Sequence, residues 1–348
     1  MTRFREALAD LNPGYFALVM ATGIVGTASH RLGYATVAAA LLVINVVAYA
    51  LLWALTLGRL LWHPRRMAAD LADHAAGPGF FTVVAGTAVL GSQLLVVAEA
   101  RAAAEALWWI SFALWAGVIY AFFTAMTIRR DKPSFVDGLN GAWLIAVVAT
   151  QSVPVLGGLL AQVDPDPHPV RVFALLSMFL FGGLLYLLII TLIFYRFTFY
   201  DFRPEMLTPP YWINMGAVAI STLAGATLTL LAARSELLAS LRPFVAGLTL
   251  LFWATATWWI PLLLILGAWR HGARRVPLRY HPSYWGMVFP LGMYTVCTLQ
   301  LAAALEAPFL NVIAEGFVFL AFLAWALAFA GMTASLARGL IPSRRATA

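Results

Sequence analysis

The side chains able to do chemistry in this chain are few, and their spacing suits reversible binding better than bond making. Cys297 is the only cysteine, which excludes an internal disulfide and a cysteine-based metal cluster. The six histidines never fall at i, i+4, the spacing that sets two imidazoles on one helix face, so no metal site is expected. The apolar stretches contain no His-Glu-x-x-His, no Gly-x-Ser-x-Gly and no clustered pair of acids. Catalytic residues and cofactors are therefore not expected, and the chain does not read as an enzyme. What those stretches hold is hydroxyl and amide groups: Thr22, Thr87, Ser92, Thr150, Gln151, Asn214, Ser221, Thr222 and Thr295. Such groups can donate hydrogen bonds to an anion without the grip of a buried Lys or Arg, and a weak hold favours fast passage. Glu315 is the exception, a carboxylate some seven residues into an apolar stretch. An acid placed there is a candidate for proton coupling, and it equally suits a contact with a neighbouring subunit. No ring of acids recurs along the chain, which disfavours cations as cargo.

These groups must be positioned by helices in a bilayer. Of 348 residues, 62% are hydrophobic and 11% charged, and the mean hydropathy is +0.86. That leaves too little polar surface for a soluble globule. Long apolar runs without two-residue alternation exclude a barrel and predict helices. Apolar segments lie at about 13–30, 35–62, 79–98, 106–128, 139–161, 170–195, 210–232, 244–269, 283–304 and 309–334, giving ten expected spans in one transmembrane domain. No small-residue cleavage site stands out beyond the apolar run from Tyr15, so the first span is expected to be retained. Of the 22 Lys and Arg, 17 fall in the connections on one side and five (Arg31, Arg101, Arg171, Arg234, Arg242) on the other. The 17 include Arg3, Arg5, Arg344 and Arg345. This split predicts cytoplasmic termini in a cell (inner or plasma) membrane, and it accounts for the net charge of +7 without nucleic acid.

The spans repeat in pairs. Pro13-Gly14-Tyr15-Phe16, Pro78-Gly79-Phe80-Phe81, Pro209-Pro210-Tyr211-Trp212 and Pro282-Ser283-Tyr284-Trp285 share a proline and an aromatic pair, and Asn140-Gly141-Ala142-Trp143 is a degenerate copy. The starts at 13, 78, 140, 209 and 282 are each about two spans apart. Five helical hairpins result. Odd-numbered spans carry most of the glycines and kinking prolines, which suits close packing around an axis, so odd helices are expected inside and even helices outside. The same small residues would also serve if they only tightened helix packing. Aligned on those starts, the seventh residue on is Met20, Ala85, Val147, Gly216 or Phe289, and the eighth includes Gly86 and Pro290. One phenyl ring among small neighbours could close a narrow passage by excluding water, or could fill a packing gap. Thr22, Gly23, Thr150 and Gly292 are the further candidates for lining such a passage.

With Pro13-Gly14-Tyr15-Phe16, Tyr211 to Gly216 and Trp285-Gly286-Met287-Val288-Phe289-Pro290 in view, the chain resembles the tellurite-resistance/dicarboxylate transporter family. That family includes bacterial tellurite-resistance channels, malate permeases, sulfite pumps and slow-type anion channels of plants. The resemblance spans essentially the whole chain and implies an all-α membrane protein of ten helices around a quasi-fivefold pore. It also implies a homotrimer with one pore per subunit, occluded by the aromatic of the ninth-helix Phe-Pro motif, here Phe289. Tyr211 to Gly225 and Asp137 to Trp143 look closest to the C4-dicarboxylate (malate) branch. The implied cargo is a small anion of the dicarboxylate, sulfite, chloride or nitrate class, with a proton-coupled carrier of dicarboxylate or sulfite as the alternative.

Overall fold

Each hairpin opens with a single 3-10 turn: Pro13–Phe16, Gly77–Phe80, Gly141–Leu144, Pro209–Trp212 and Pro282–Tyr284. Proline fits such a start because its fixed φ matches the turn and its missing N–H would have no partner there. Asn12 and Asn140 cap two of the turns by accepting from Gly14 N and Ala142 N, each at 2.8 Å, and His281 Nδ1 accepts from Ser283 N at 3.2 Å. The computed structural model describes Glu6 and residues 8–340; Arg3, Arg5, Arg344 and Arg345, which entered the charge count, lie outside the described residues. The turns begin at 13, 77, 141, 209 and 282, so the second and third copies are each one residue out of the register read from the sequence. Asn140 occupies the capping place of Asn12, before its turn. Seven residues past the observed starts stand Val84 and Val148 in place of Ala85 and Val147.

The turns lead into the odd members of ten long helices: α1 (Ala17–Arg31), α2 (Ala35–Trp62), α3 (Phe81–Ala98), α4 (Arg101–Ile128), α5 (Ile145–Gln162), α6 (Pro169–Phe199), α7 (Ile213–Leu231), α8 (Glu236–Ala268), α9 (Trp285–Ala304) and α10 (Asn311–Leu340). Helix α1 packs on α3, α3 on α5, α5 on α7, α7 on α9, and α9 back on α1. That is a closed ring of five. Each even helix lies outside the ring, against its own hairpin partner and the next odd helix, with α10 on α9 and α1. Burial follows the same division. In the most apolar window of each helix, 78, 100, 94 and 83% of the residues of α3, α5, α7 and α9 are buried, against 22% for α2, α4, α8 and α10. Apolar side chains such as Leu61, Tyr120, Phe173, Ile265 and Phe309 cover the outer faces, as hydrocarbon requires. The chain is an all-α integral membrane protein.

Among the described residues nine helices are long and apolar enough to cross a membrane. The missing one of the ten expected is α1, which has 15 residues, includes Thr22, Gly23, Gly26, Thr27 and Ser29, and ends in His30 and Arg31. It meets other helices where the rest meet lipid, and every residue from Ala17 to Ser29 is buried. Hydropathy is a demand of lipid contact, so a helix at the centre is released from it. Helix α6 departs from the outer pattern, with half of its window buried. Its Gly182 seats the Gln151 side chain of α5, whose Nε2 donates to Phe179 O at 3.0 Å.

Candidate functional site: the axis of the inner ring

A ring of five helices with parallel starts puts five N-termini around one mouth. There the structure has a vestibule of about 480 Å³ lined by all five hairpin openings, among them Asn12, Ala76, Asn140, Thr208 and His281. First-turn N–H groups and helix dipoles give this mouth positive character. Arg196, from the end of α6, also lines it and is only 5% exposed. Its guanidinium donates to Leu139 O at 2.6 Å and to the Tyr211 hydroxyl, and lies 5.5 Å from the Phe202 ring. Its partners are all neutral, so its charge is not cancelled locally. Asp137, at the exposed rim, accepts from Ser134 Oγ at 2.7 Å.

Deeper along the axis, level with the middle of α3, α7 and α9 and the second half of α1 and α5, lies a narrow cavity of about 20 Å³, space for roughly one water. It too is lined from all five inner helices, by Ile24 and Thr27 of α1, Val89 and Ser92 of α3, Ser152, Val155 and Leu159 of α5, Ile220 and Leu223 of α7, and Met293 and Val296 of α9. On α9, Gly286 faces the vestibule while Met293 and Val296 face this cavity. Phe289 falls between them by helical register and is 1% exposed. The other helices carry Met20 and Ala21, Val84 and Ala85, Val148 and Ala149, and Gly216 and Ala217 at this depth, all buried and none lining either cavity.

Pro290 positions Phe289. A proline inside a helix removes one ladder hydrogen bond and crowds the turn before it, and here its ring rests on α7 at Gly216. A Cβ added to Gly216 would stand 2.6 Å from Pro290 Cγ. The glycine is thus a seat for proline and not part of a lining. The same correction applies to three other candidates. An added Cβ at Gly23 would meet Val89 Cγ1 at 2.7 Å, at Gly86 the Phe16 carbonyl at 3.3 Å, and at Gly292 Ile24 Cγ2 at 2.9 Å. These glycines let neighbouring inner helices approach one another.

The hydroxyls need correcting as well. Thr22 and Thr150 turn outward, where their oxygens accept from Trp325 Nε1 of α10 and Trp115 Nε1 of α4, each at 3.0 Å. Thr87 meets the Tyr49 hydroxyl of α2 at 3.1 Å. These three contacts are the same contact in successive repeats: inner threonine, preceding outer helix, polar aromatic. Ser92, Ser221, Thr222 and Thr295 donate to carbonyls four residues back, at 2.8 to 3.2 Å. These four hydroxyls are thus engaged within their own helices, whereas the buried Asn214 amide has, among the described residues, no hydrogen-bond partner at either its nitrogen or its oxygen. Glu315 is exposed on α10, outside the ring. Among the described residues no three His, Cys, Asp or Glu gather as metal ligands.

Two groups of arginines escaped the sequence reading. The C-terminal arginine of four outer helices reaches back to a carbonyl in the segment before its own hairpin: Arg59 to Ala9 O at 2.9 Å, Arg129 to Ala72 O, Arg196 to Leu139 O, and Arg270 to Leu207 O. Their spacings of 70, 67 and 74 residues follow the hairpin repeat and were visible, but these charges had been counted only for topology. Arg31 is the second case. It lines the narrow cavity and donates to the Gln300 amide oxygen. Near the vestibule, burial, with the Arg129 charge next, pushes the His74 imidazole below its ordinary pKa.

Five hairpins around an axis, closed between a charged mouth and a narrow one, define a multi-pass membrane protein of the channel or carrier class. The chain belongs to the voltage-dependent anion channel family, which it matches over residues 10–333. Over 163 residues, 47% of this chain and 82% of the relative, it is 39% identical to an uncharacterized membrane protein of Mycobacterium tuberculosis. It is 24% identical to an uncharacterized transporter of Methanocaldococcus jannaschii, with 92% of each chain covered. It is 23% identical to a sulfite efflux pump of Trichophyton rubrum, covering 93% of this chain and 90% of the pump. Membership agrees with the resemblance carried by the Phe289-Pro290 segment and places the chain among anion transport proteins of membranes.

Proposed function

We propose that each subunit conducts a small anion along the ring axis and that Phe289 holds this path shut at rest. The observation that carries the reading is the place of Phe289, buried between two cavities that are each lined by all five inner helices. A phenyl ring in a passage of aliphatic and methyl groups excludes water, and without water an ion cannot cross. The wide mouth, with its helix N-termini and arginines, faces the cytoplasm by the charge count, α1 serves as a tenth crossing, and three copies associate. The cargo class is sulfite, chloride, nitrate or a C4-dicarboxylate, and the fungal sulfite efflux pumps among the relatives favour sulfite. Uniport is favoured over proton coupling because Glu315 lies outside the ring. The test is anion efflux from liposomes holding purified protein. Phe289→Ala raises efflux if the ring is the barrier, and unchanged efflux from a folded, inserted variant rejects the gate.

A further inference from the structure

The narrow end of the ring presents an electrostatic problem for an anion. Past the narrow cavity the five inner helices end, and their C-terminal carbonyls give that side negative character, the reverse of the vestibule. The hydroxyls on that stretch do not offset it, since Thr27 donates to Gly23 O at 2.9 Å, Ser92 to Ala88 O at 3.0 Å and Ser152 to Ala149 O at 2.8 Å. Among the described residues lining the narrow cavity, the one cation is Arg31, the last residue of α1.

Arg31 differs from Arg101, Arg171 and Arg234, three of the other arginines on its side of the molecule. Arg171 forms a forked ion pair with Glu105 at 3.0 to 3.2 Å, Arg101 lies 3.5 Å from Asp164, and Arg234 donates to Gln162 O and Asp164 O, both at 2.9 Å. Those contacts tie loops together. Arg31 has no carboxylate in ion-pair range among the described residues; its partner is the neutral amide of Gln300, a residue of α9 that is 5% exposed. A guanidinium has five N–H donors, and one bond to an amide leaves most of them and the whole charge for another ligand. Gln300 fixes the fork in place, which lowers the ordering cost of using it.

We propose that Arg31, held by Gln300, is the anion-binding and charge-selecting site at the narrow end of the passage. The ligand is a small, partly dehydrated inorganic anion such as sulfite or chloride, drawn past the helix C-termini by the guanidinium. This rests on the conduction reading above and adds a residue to it. Arg31 is partly exposed, but it lines a cavity that holds little water, so its field there is screened less than that of a fully exposed arginine.

The experiment measures the reversal potential of reconstituted protein under a KCl gradient, in the Phe289→Ala background so that current is large. Adding Arg31→Gln lowers the chloride-to-potassium permeability ratio by about tenfold, the smaller end of what a focused charge supplies. Adding Gln300→Glu, which leaves Arg31 in place but cancels it with a carboxylate, lowers the ratio as well, and Arg31→Lys preserves it. An unchanged ratio in both Arg31→Gln and Gln300→Glu overturns the site while leaving the passage standing. If Phe289→Ala carries no current, the Phe289 gate is rejected, and the site is read by sulfite-dependent thermal stabilisation of wild-type protein. Its loss in Arg31→Gln sustains the site, and its persistence refutes it.

Discussion

The two ends of the inner ring are made from the same five helices and yet are opposites. The wide mouth holds about 480 Å³, is lined by capped helix starts, and carries a buried arginine whose partners are neutral. Toward the narrow end the ring holds about 20 Å³, is mostly aliphatic, and has Arg31 as the one charge among the described lining residues. The contrast follows from helix direction. N-termini attract an anion without any charged side chain, so the wide mouth can stay open and wet, while C-termini repel it and need a specific cation. In the conduction proposed above, one end would collect hydrated anions and the other would select them after water is stripped away. A fold with quasi-fivefold repetition thus becomes polar along its axis, because all five hairpins enter the ring in the same sense.

The comparison can be broken most forcefully at Arg196. Arg196→Gln leaves Leu139 O and the Tyr211 hydroxyl without their donor in a buried place, which costs about 1–3 kcal/mol. Thermal unfolding in detergent should register it, together with weaker anion entry from the wide mouth; an unaltered melt and unaltered entry would show that Arg196 neither closes that loop nor charges the vestibule. A smaller effect separates lining from packing. Thr22→Val removes the acceptor of the Trp325 indole and should cost about 1 kcal/mol with no change in anion flux. A change in flux with an intact melt would return Thr22 to the passage.

Much of this was legible in the chain. The Pro-x-aromatic-aromatic openings gave the hairpin count, and Gly23, Gly86, Gly216 and Gly292 pointed to the odd helices as inner ones. What the sequence could not show is which way each helix is turned. In a soluble protein the polar face of a helix announces itself, but here lipid, neighbouring helices and axis are all apolar surroundings. Thr22 and Thr150 could therefore be placed on the right helices and on the wrong face. The register slips at Gly77 and Gly141 have a related cause. The aromatic pair was the visible marker, while the feature that repeats in space is the 3-10 turn, whose cap is Asn12 in one copy and Asn140 in another. Arg31 was hidden because membrane topology already supplied a reason for every charge.

The smallest expected effect concerns acid. With its pKa lowered by burial, His74 binds fewer protons folded than unfolded. Its neutral form costs nothing above the unfolded value near 6.5, and stability falls as pH drops below it. His74→Asn should flatten the decline in melting temperature between about pH 7 and pH 5. A decline equally steep in the variant would place the acid sensitivity elsewhere.

The central claim, that the two ends are separated by one aromatic side chain, is tested most directly by chloride efflux from liposomes containing wild-type or Phe289→Ala protein at matched incorporation. Efflux should rise by about tenfold or more, equivalent to lowering a barrier by at least about 1.4 kcal/mol, and should fall again with Phe289→Leu. Equal efflux from wild type and Phe289→Ala, with both proteins folded and inserted, would contradict the account.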